Sequence, residues 1–269
     1  MIQIELAVLL GVLGAAFGSF AGAMAWRLHT KRNMVSDRSE CEHCHHKLGP
    51  LDLVPIVSWL WLRGRCRYCK KPIGWIPFVS EVLMAALFVL SFVYWPLGFA
   101  AWQGIALFVL WLAYLVAFAV LVIYDARWML LPDAIVLPLI GVAFVDAALR
   151  TSLVPGAGVM EYILHAGYGM LAIAGVYGAL YVVSRGRWVG FGDVKLAVFI
   201  GVVLGWQLAL LVFVLANVIG FFVVLPGLAS GKLKRTSRIP FGPFLIAAFV
   251  VAGLWGDALI HWYLGYIGL

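Results

Sequence analysis

The sequence predicts an all-α polytopic membrane protein, and three observations carry that expectation. Of 269 residues, 65% are hydrophobic and only 12% charged, with a mean hydropathy of +1.04; soluble domains are roughly half apolar and about a quarter charged. The apolar residues fall in long runs separated by short polar breaks. The basic residues gather in alternate breaks, as they do when one side of a membrane retains them.

A crossing takes about 20 apolar residues. Runs at approximately 3–27, 77–96, 100–124, 133–149, 158–184, 193–206, 207–228 and 241–264 predict about eight transmembrane helices. The sixth is short, so its boundary with the seventh is the least defined. The opening run "MIQIELAVLLGVLGAAFGSFAGAMAWRL" has its positive charge after the apolar segment, unlike a signal peptide, and is expected to be a retained first helix entering from outside. With eight spans, every Lys and Arg except Arg150 falls on one side, including the cluster Lys232, Lys234, Arg235 and Arg238. That side is cytoplasmic by the positive-inside rule, and both termini are outside. The net charge of +7 is therefore a topology signal, and no aromatic-basic platform accompanies it to suggest nucleic-acid binding.

Only one polar stretch is long enough to fold separately. The organisation expected is a first transmembrane helix over 1–27, a small cytoplasmic domain over 28–76, and a membrane bundle over 77–269. The domain holds two CxxC pairs, Cys41 with Cys44 in "CEHC" and Cys66 with Cys69 in "CRYC", separated by residues 45–65. That spacing is close to a zinc ribbon, in which two tight turns converge four thiolates on one tetrahedral ion. Two disulfides are the alternative, but a cytoplasmic location keeps thiols reduced, and so small a domain needs a staple. Four cysteines complete the shell, so His43, His45 and His46 are expected at the surface and the zinc is expected to be structural.

The acids locate the chemistry. Glu5, Asp146, Glu161 and Asp257 fall near outer helix ends, where solvent is expected to reach them; Asp37, Glu40, Glu42 and Asp52 belong to the small domain. Four remain at cytoplasmic helix ends: Glu81, Asp125, Asp133 and Asp193. Asp133 follows Pro132 in a good helix start, where an acid suits the macrodipole. Asp125 closes a long apolar helix, where a negative charge opposes the macrodipole and no cap explains it. Asp193, in "GFGD", begins a span beside two glycines that permit close backbone approach. Both acids fall on the same side. Facing carboxylates divide their labour: one keeps a proton while the other, ionised, takes a proton from water that attacks a peptide carbonyl. Intramembrane acids also serve proton or ion transport, so the residues alone leave a proton-coupled transporter with a cytoplasmic zinc-binding partner domain as the alternative.

The ordered set "FGSF" at 17–20, the double-CxxC domain with "DLVPIVSWLWLRGRC", "YDARWMLLPD", "GFGDVKL" at 190–196 and "IPFGPFL" at 239–245 resembles the prepilin leader peptidases, the bacterial branch of the GxGD membrane aspartyl proteases. The resemblance covers nearly the whole chain. It implies a catalytic dyad of Asp125 and Asp193, with Asp133 a neighbour outside the central role. It implies cleavage of the basic leader of type IV prepilins, or of pseudopilins of type II secretion or DNA uptake, at the cytoplasmic face of a bacterial inner membrane. Many members also N-methylate the new terminus with S-adenosylmethionine. Here Ala21-Gly22 replaces a usual Leu-Asn, and Ile76-Pro77-Phe78 a usual Arg-Tyr-Pro. Both departures flank the region linked with methyl transfer, which they put in question, and they also leave room for an inactive pilin-binding scaffold. Retention of both aspartates argues against the latter.

Around these motifs, "FGPF" at 241–244 reads either as a plain helix entry or as a wall beside the acid pair that holds an extended substrate. Lys195 is expected to snorkel to the cytoplasmic surface, and Trp26, Trp128, Trp188 and Trp262 to form an interfacial belt.

Overall fold

A computed structural model describes residues 2–33, 37–154, 156, 158–234, 237 and 239–268. Arg235 and Arg238 of the last basic cluster lie outside the described residues. Among those described, the chain is helical apart from turns and two isolated antiparallel bridges, Glu40 to Lys47 and Arg65 to Pro72. In order come α1 (Ile2–His29), a 3-10 turn (Pro50–Asp52), α2 (Val57–Trp61), α3 (Ile76–Val93), α4 (Trp102–Trp128), α5 (Asp133–Ser152), α6 (Val159–Ser184), α7 (Phe191–Ala229) and α8 (Gly242–Ile267). Among the described residues, all but α2 and the 3-10 turn are long and apolar enough to cross a membrane, which makes seven such helices. The protein is a multi-span membrane protein.

The sixth and seventh expected spans are thus one 39-residue element, and the reason is Gly205. Its φ of 74° and ψ of 176° are not helical. Along α6, His165 meets Gly205, Gly169 meets Gly201 and Gly178 meets Val194. A straight continuation would carry Phe213 about 12 Å beyond Gly205 and away from α6. Instead Phe213 lies against Tyr177, with ring centroids 5.5 Å apart. The chain therefore doubles back at Gly205, and both halves of α7 run along α6. The boundary read at 206/207 is this turn.

Two compact units divide the chain. In the one containing α1, α3 and residues 111–124, α1 packs on α3 through glycine. A Cβ on Gly14 would come within 2.5 Å of the Met84 carbonyl oxygen, and one on Gly18 within 2.5 Å of that of Ser80. Close backbone approach over small residues is how membrane helices gain contact without a hydrophobic drive. Ser80 Oγ donates to the Gly18 carbonyl at 3.1 Å, and Phe17 lies 6.0 Å from Phe88, so "FGSF" is a packing motif here.

In the other unit, α6 crosses the first half of α7 at Gly169 and Gly201, where a Cβ on either would meet the other's carbonyl oxygen at 1.9 and 2.2 Å. Phe199 packs on Phe249 of α8, Gly220 on Phe244 and Gly256 on Leu208. Asp146 departs from the expectation of a solvated outer end. It is fully buried and accepts from Arg150 Nε at 2.5 Å, one turn along α5. A buried carboxylate needs such a partner, and Arg150, the one basic residue on its side by the charge count, supplies it.

Candidate active site and cysteine cluster

Asp125 sits in the last turn of α4, just before Met129 closes the helix in a left-handed conformation with its N–H on the Asp125 carbonyl at 2.8 Å. Its side chain is 5% exposed. Oδ2 accepts the backbone N–H of Gly242 at 3.1 Å. Gly242 is the first residue of α8, where N–H groups have no partner within their own helix and the macrodipole is positive. Asp125 therefore does have a capping partner, contrary to the expectation from its own helix; it lies at the start of another helix, 117 residues away.

Asp193 is held as locally as Asp125 is held remotely. It is the third residue of α7, and its Oδ2 accepts the Gly190 N–H at 3.2 Å, so the motif is also a helix cap. The second glycine of the motif is required by crowding: a Cβ on Gly192 would lie 2.9 Å from Leu131 Cβ. Leu131 also touches Gly242, whose Cβ would meet Leu131 Cδ2 at 3.2 Å and Asp125 Oδ2 at 2.8 Å. One leucine thus seats the segments bearing both acids. The two carboxylates lie within range of each other's charge.

The half-buried Asp193 has a second neighbour that sequence reasoning missed. The Tyr177 hydroxyl is buried without a hydrogen bond of good geometry, and its polar surroundings are Asn217 and Asp193. Its ring packs on Phe213 and, at 5.8 Å, on Phe241 of the "FGPF" element. In that element Pro243 opens a helix, as read, and Gly242 abuts Asp125. Asp133 stands at the start of α5 and pairs with Lys195, whose ammonium also lies 5.1 Å from the Phe191 ring centroid. Lys195 thus extends to an exposed carboxylate, as a snorkelling cation can.

The four cysteines converge. Their sulfurs lie within 4.8 Å of one another, Cys41 Sγ and Cys69 Sγ at 3.9 Å. Four sulfurs about 2.3 Å from one tetrahedral ion stand roughly 3.8 Å apart. The chain turns at each pair in the same way: Cys41 N–H bonds the His46 carbonyl and Cys66 N–H that of Lys71, at 3.0 and 2.9 Å. The cluster has the geometry and donor set to hold a metal ion such as zinc. Burial raises the Cys66 thiol, but N–H groups of Cys69 and Tyr68 and the thiols of Cys41 and Cys69 outweigh it and bring it to about 7. His45 and His46 face outward as expected, the first on Glu40 at 3.2 Å and the second over Tyr68.

Residues 12–95 match the model of the bacterial peptidase A24 N-terminal domain, and residues 111–225 that of the type IV leader peptidase family. A prepilin leader peptidase/N-methyltransferase of Aeromonas hydrophila is 35% identical over 86% of this chain and 76% of its own length. The chain belongs to the type IV leader peptidase family. Proteins with the same name from Pseudomonas aeruginosa and Bacillus subtilis are 31% and 27% identical, over 88% and 95% of this chain and 78% and 97% of theirs. No solved structure matches it. As a leader peptidase of this family the protein is a membrane peptidase, and nothing in its fold or its relatives supports the transporter alternative.

Proposed function

We propose that this leader peptidase removes the basic leader of type IV prepilins, or of pseudopilins of type II secretion or DNA uptake, with Asp125 and Asp193 as its catalytic dyad. The observation that carries the assignment is the seating of both acid-bearing segments around Leu131, with the carboxylates in range of each other's charge. In the reaction one carboxylate, ionised, takes a proton from water as its oxygen bonds to the scissile carbonyl carbon. The other donates its proton to the carbonyl oxygen. The tetrahedral intermediate then collapses, the C–N bond breaks, and the leaving amine takes up a proton from the dyad. The Gly242 N–H orients Asp125 without occupying its second oxygen.

The four cysteines hold a structural zinc, supported by their donor set and spacing. Residues 28–76 are the zinc domain between the first helix, 1–27, and the bundle, 77–269. The protein resides in a bacterial inner membrane among lipid, with both termini outside and the dyad at the cytoplasmic face, and takes no nucleic acid. N-methylation, an activity the relatives' names carry, here with S-adenosylmethionine as the methyl donor, is the activity on which the departures at Ala21-Gly22 and Ile76-Pro77-Phe78 bear.

Co-expression with a prepilin tests the dyad. Asp125→Asn and Asp193→Asn each abolish leader removal while the protein accumulates normally; full processing by either removes that residue from the dyad. The mass of the processed N-terminus from the unaltered enzyme reads methylation separately.

A further inference from the structure

The small domain carries an apolar face that no part of its own unit covers. In α2, Val57, Leu60 and Trp61 are 58%, 55% and 81% exposed. They stand at i, i+3 and i+4, one face of a helix. The opposite face is fixed: the Trp59 ring lies 4.6 Å from both Trp75 and Phe78, stacked on the latter, and its Nε1 donates to the Gly74 carbonyl at 2.9 Å. Leu51, 74% exposed, extends the bare surface, and exposed Arg63 and Arg65 follow it directly.

The depth of this face is set by a bond into the membrane helix. Ile56 N–H donates to Oε2 of the buried Glu81 at 2.6 Å, and Ser19 hydrogen-bonds the same carboxylate. Glu81 lies about 7 Å along α3 from its first residue, Ile76. With 18 residues α3 is only about 27 Å long, against a hydrocarbon core of about 30 Å. No turn of α3 can then be spared from the membrane, and whatever is bonded to Glu81 lies at the level of lipid. The backbone is strained to make that bond. Ile56 has φ 63° and ψ −53°, closing a three-residue turn in which Val57 N–H meets the Pro55 carbonyl at 2.6 Å. A β-branched residue there costs on the order of 1–3 kcal/mol and persists only where its surroundings hold it.

We propose that residues 51–61 are a lipid-docking knuckle: Val57, Leu60 and Trp61 insert into the adjoining leaflet, and Arg63 and Arg65 take its anionic headgroups. Tryptophan at the boundary and arginine beside an apolar face are the residues that interfacial segments use. The same arginines repel a basic peptide, which makes a leader sequence the wrong occupant. The knuckle would fix the zinc domain at the membrane surface, and this is independent of which acids cleave.

The test uses full-length protein in nanodiscs, with Trp61→p-benzoylphenylalanine as the probe and the same substitution at exposed Glu42 as a control. On irradiation, position 61 is expected to gain the mass of one phospholipid and position 42 none. An adduct with a second protein chain, or none at 61, overturns the proposal. Should the substituted protein lose its metal, Leu60 carries the same probe. In the unsubstituted protein, amide exchange across 57–63 is expected to slow when phosphatidylglycerol replaces phosphatidylcholine; equal rates overturn the headgroup role of the arginines.

Discussion

Replacing Gly242 by alanine separates a poised Asp125 from a merely present one. The added Cβ would lie 2.8 Å from Asp125 Oδ2 and 3.2 Å from Leu131 Cδ2, where ordinary contacts begin at 3.4 Å. The carboxylate must therefore retreat by roughly 0.6 Å, since close-packed interiors transmit such strain rather than absorb it. Retreat lengthens a 3.1 Å bond to a charged acceptor, a type worth about 1.5–3 kcal/mol. It also misplaces a proposed catalytic oxygen in a setting where about 1 Å costs on the order of a hundredfold. Both routes give a fall in kcat of roughly ten- to a hundredfold. KM is expected to change little, because the disturbed contact, Asp125 against Gly242, is one the protein makes with itself. Helix stability should not fall, since alanine is the better helix former by about 1 kcal/mol. The assay is leader release from a purified prepilin by enzyme in nanodiscs, with Gly141→Ala as control, a site where a Cβ meets nothing within 4 Å. Full kcat in Gly242→Ala, or an equal loss in Gly141→Ala, would refute the reasoning.

At the α7 turn, Gly205→Ala forces a Cβ to 2.5 Å from His165 Cε1 and a dihedral pair almost confined to glycine, at a cost of about 1–3 kcal/mol for the backbone alone. The thermal midpoint in detergent should drop, and adding His165→Ala should recover the steric part only; simple additivity of the two losses would argue against contact. Glu81→Ala leaves the Ile56 N–H without its acceptor, at about 1–3 kcal/mol. Limited proteolysis should then cut within 50–61 faster, with Glu81→Gln close to the unaltered protein; identical digestion of all three would show that the bond does not hold the segment. For the cysteine cluster, metal analysis of reduced protein should find about one zinc per chain, lost in Cys66→Ser; no metal in the unaltered protein would end the zinc assignment.

Legibility followed the range of the interactions. The CxxC turns are local, and their convergence could be read from spacing. The helices could be read because every run long enough to cross is nearly uniform in polarity, but that uniformity hides faces, so the apolar pattern around 193–228 could not show two antiparallel halves. Only Gly205, a single residue from the boundary read, marked the turn. The partner of Asp125 stands on α8, beyond any local pattern, and the acid looked uncapped for that reason. Tyr177 was invisible because tyrosine in an apolar helix is ordinary; only its burial beside Asp193 gives it a place. Hydropathy alone misplaces Asp146, whose arginine partner stands four residues on. Hydropathy assigns a helix-end acid to water, whereas spacing had already supplied it with a partner.

The turn at Gly205 bears on the depth of Asp193. Residues 191–204 rise about 21 Å, well short of a hydrocarbon core of about 30 Å. At least one end of this half-helix must then lie below the membrane surface, and polar groups there have to be met by protein or by water in a cavity. At the Gly205 end the His165 imidazole packs on Gly205, and Arg150 pairs with the buried Asp146 on the neighbouring α5. At the other end Asp193 is only partly buried, holds a single backbone bond, and looks toward a tyrosine hydroxyl that has no partner of good geometry. Each end keeps one buried group without a partner of good geometry, His165 Nε2 at the Gly205 end and the Tyr177 hydroxyl at the other, but the hydroxyl is the one that stands beside Asp193. Water and a peptide carbonyl are the groups that such a hydroxyl suits. The half-helix thus leaves Asp193, which we propose cleaves together with Asp125, at the end where water and a substrate's peptide bond can meet it.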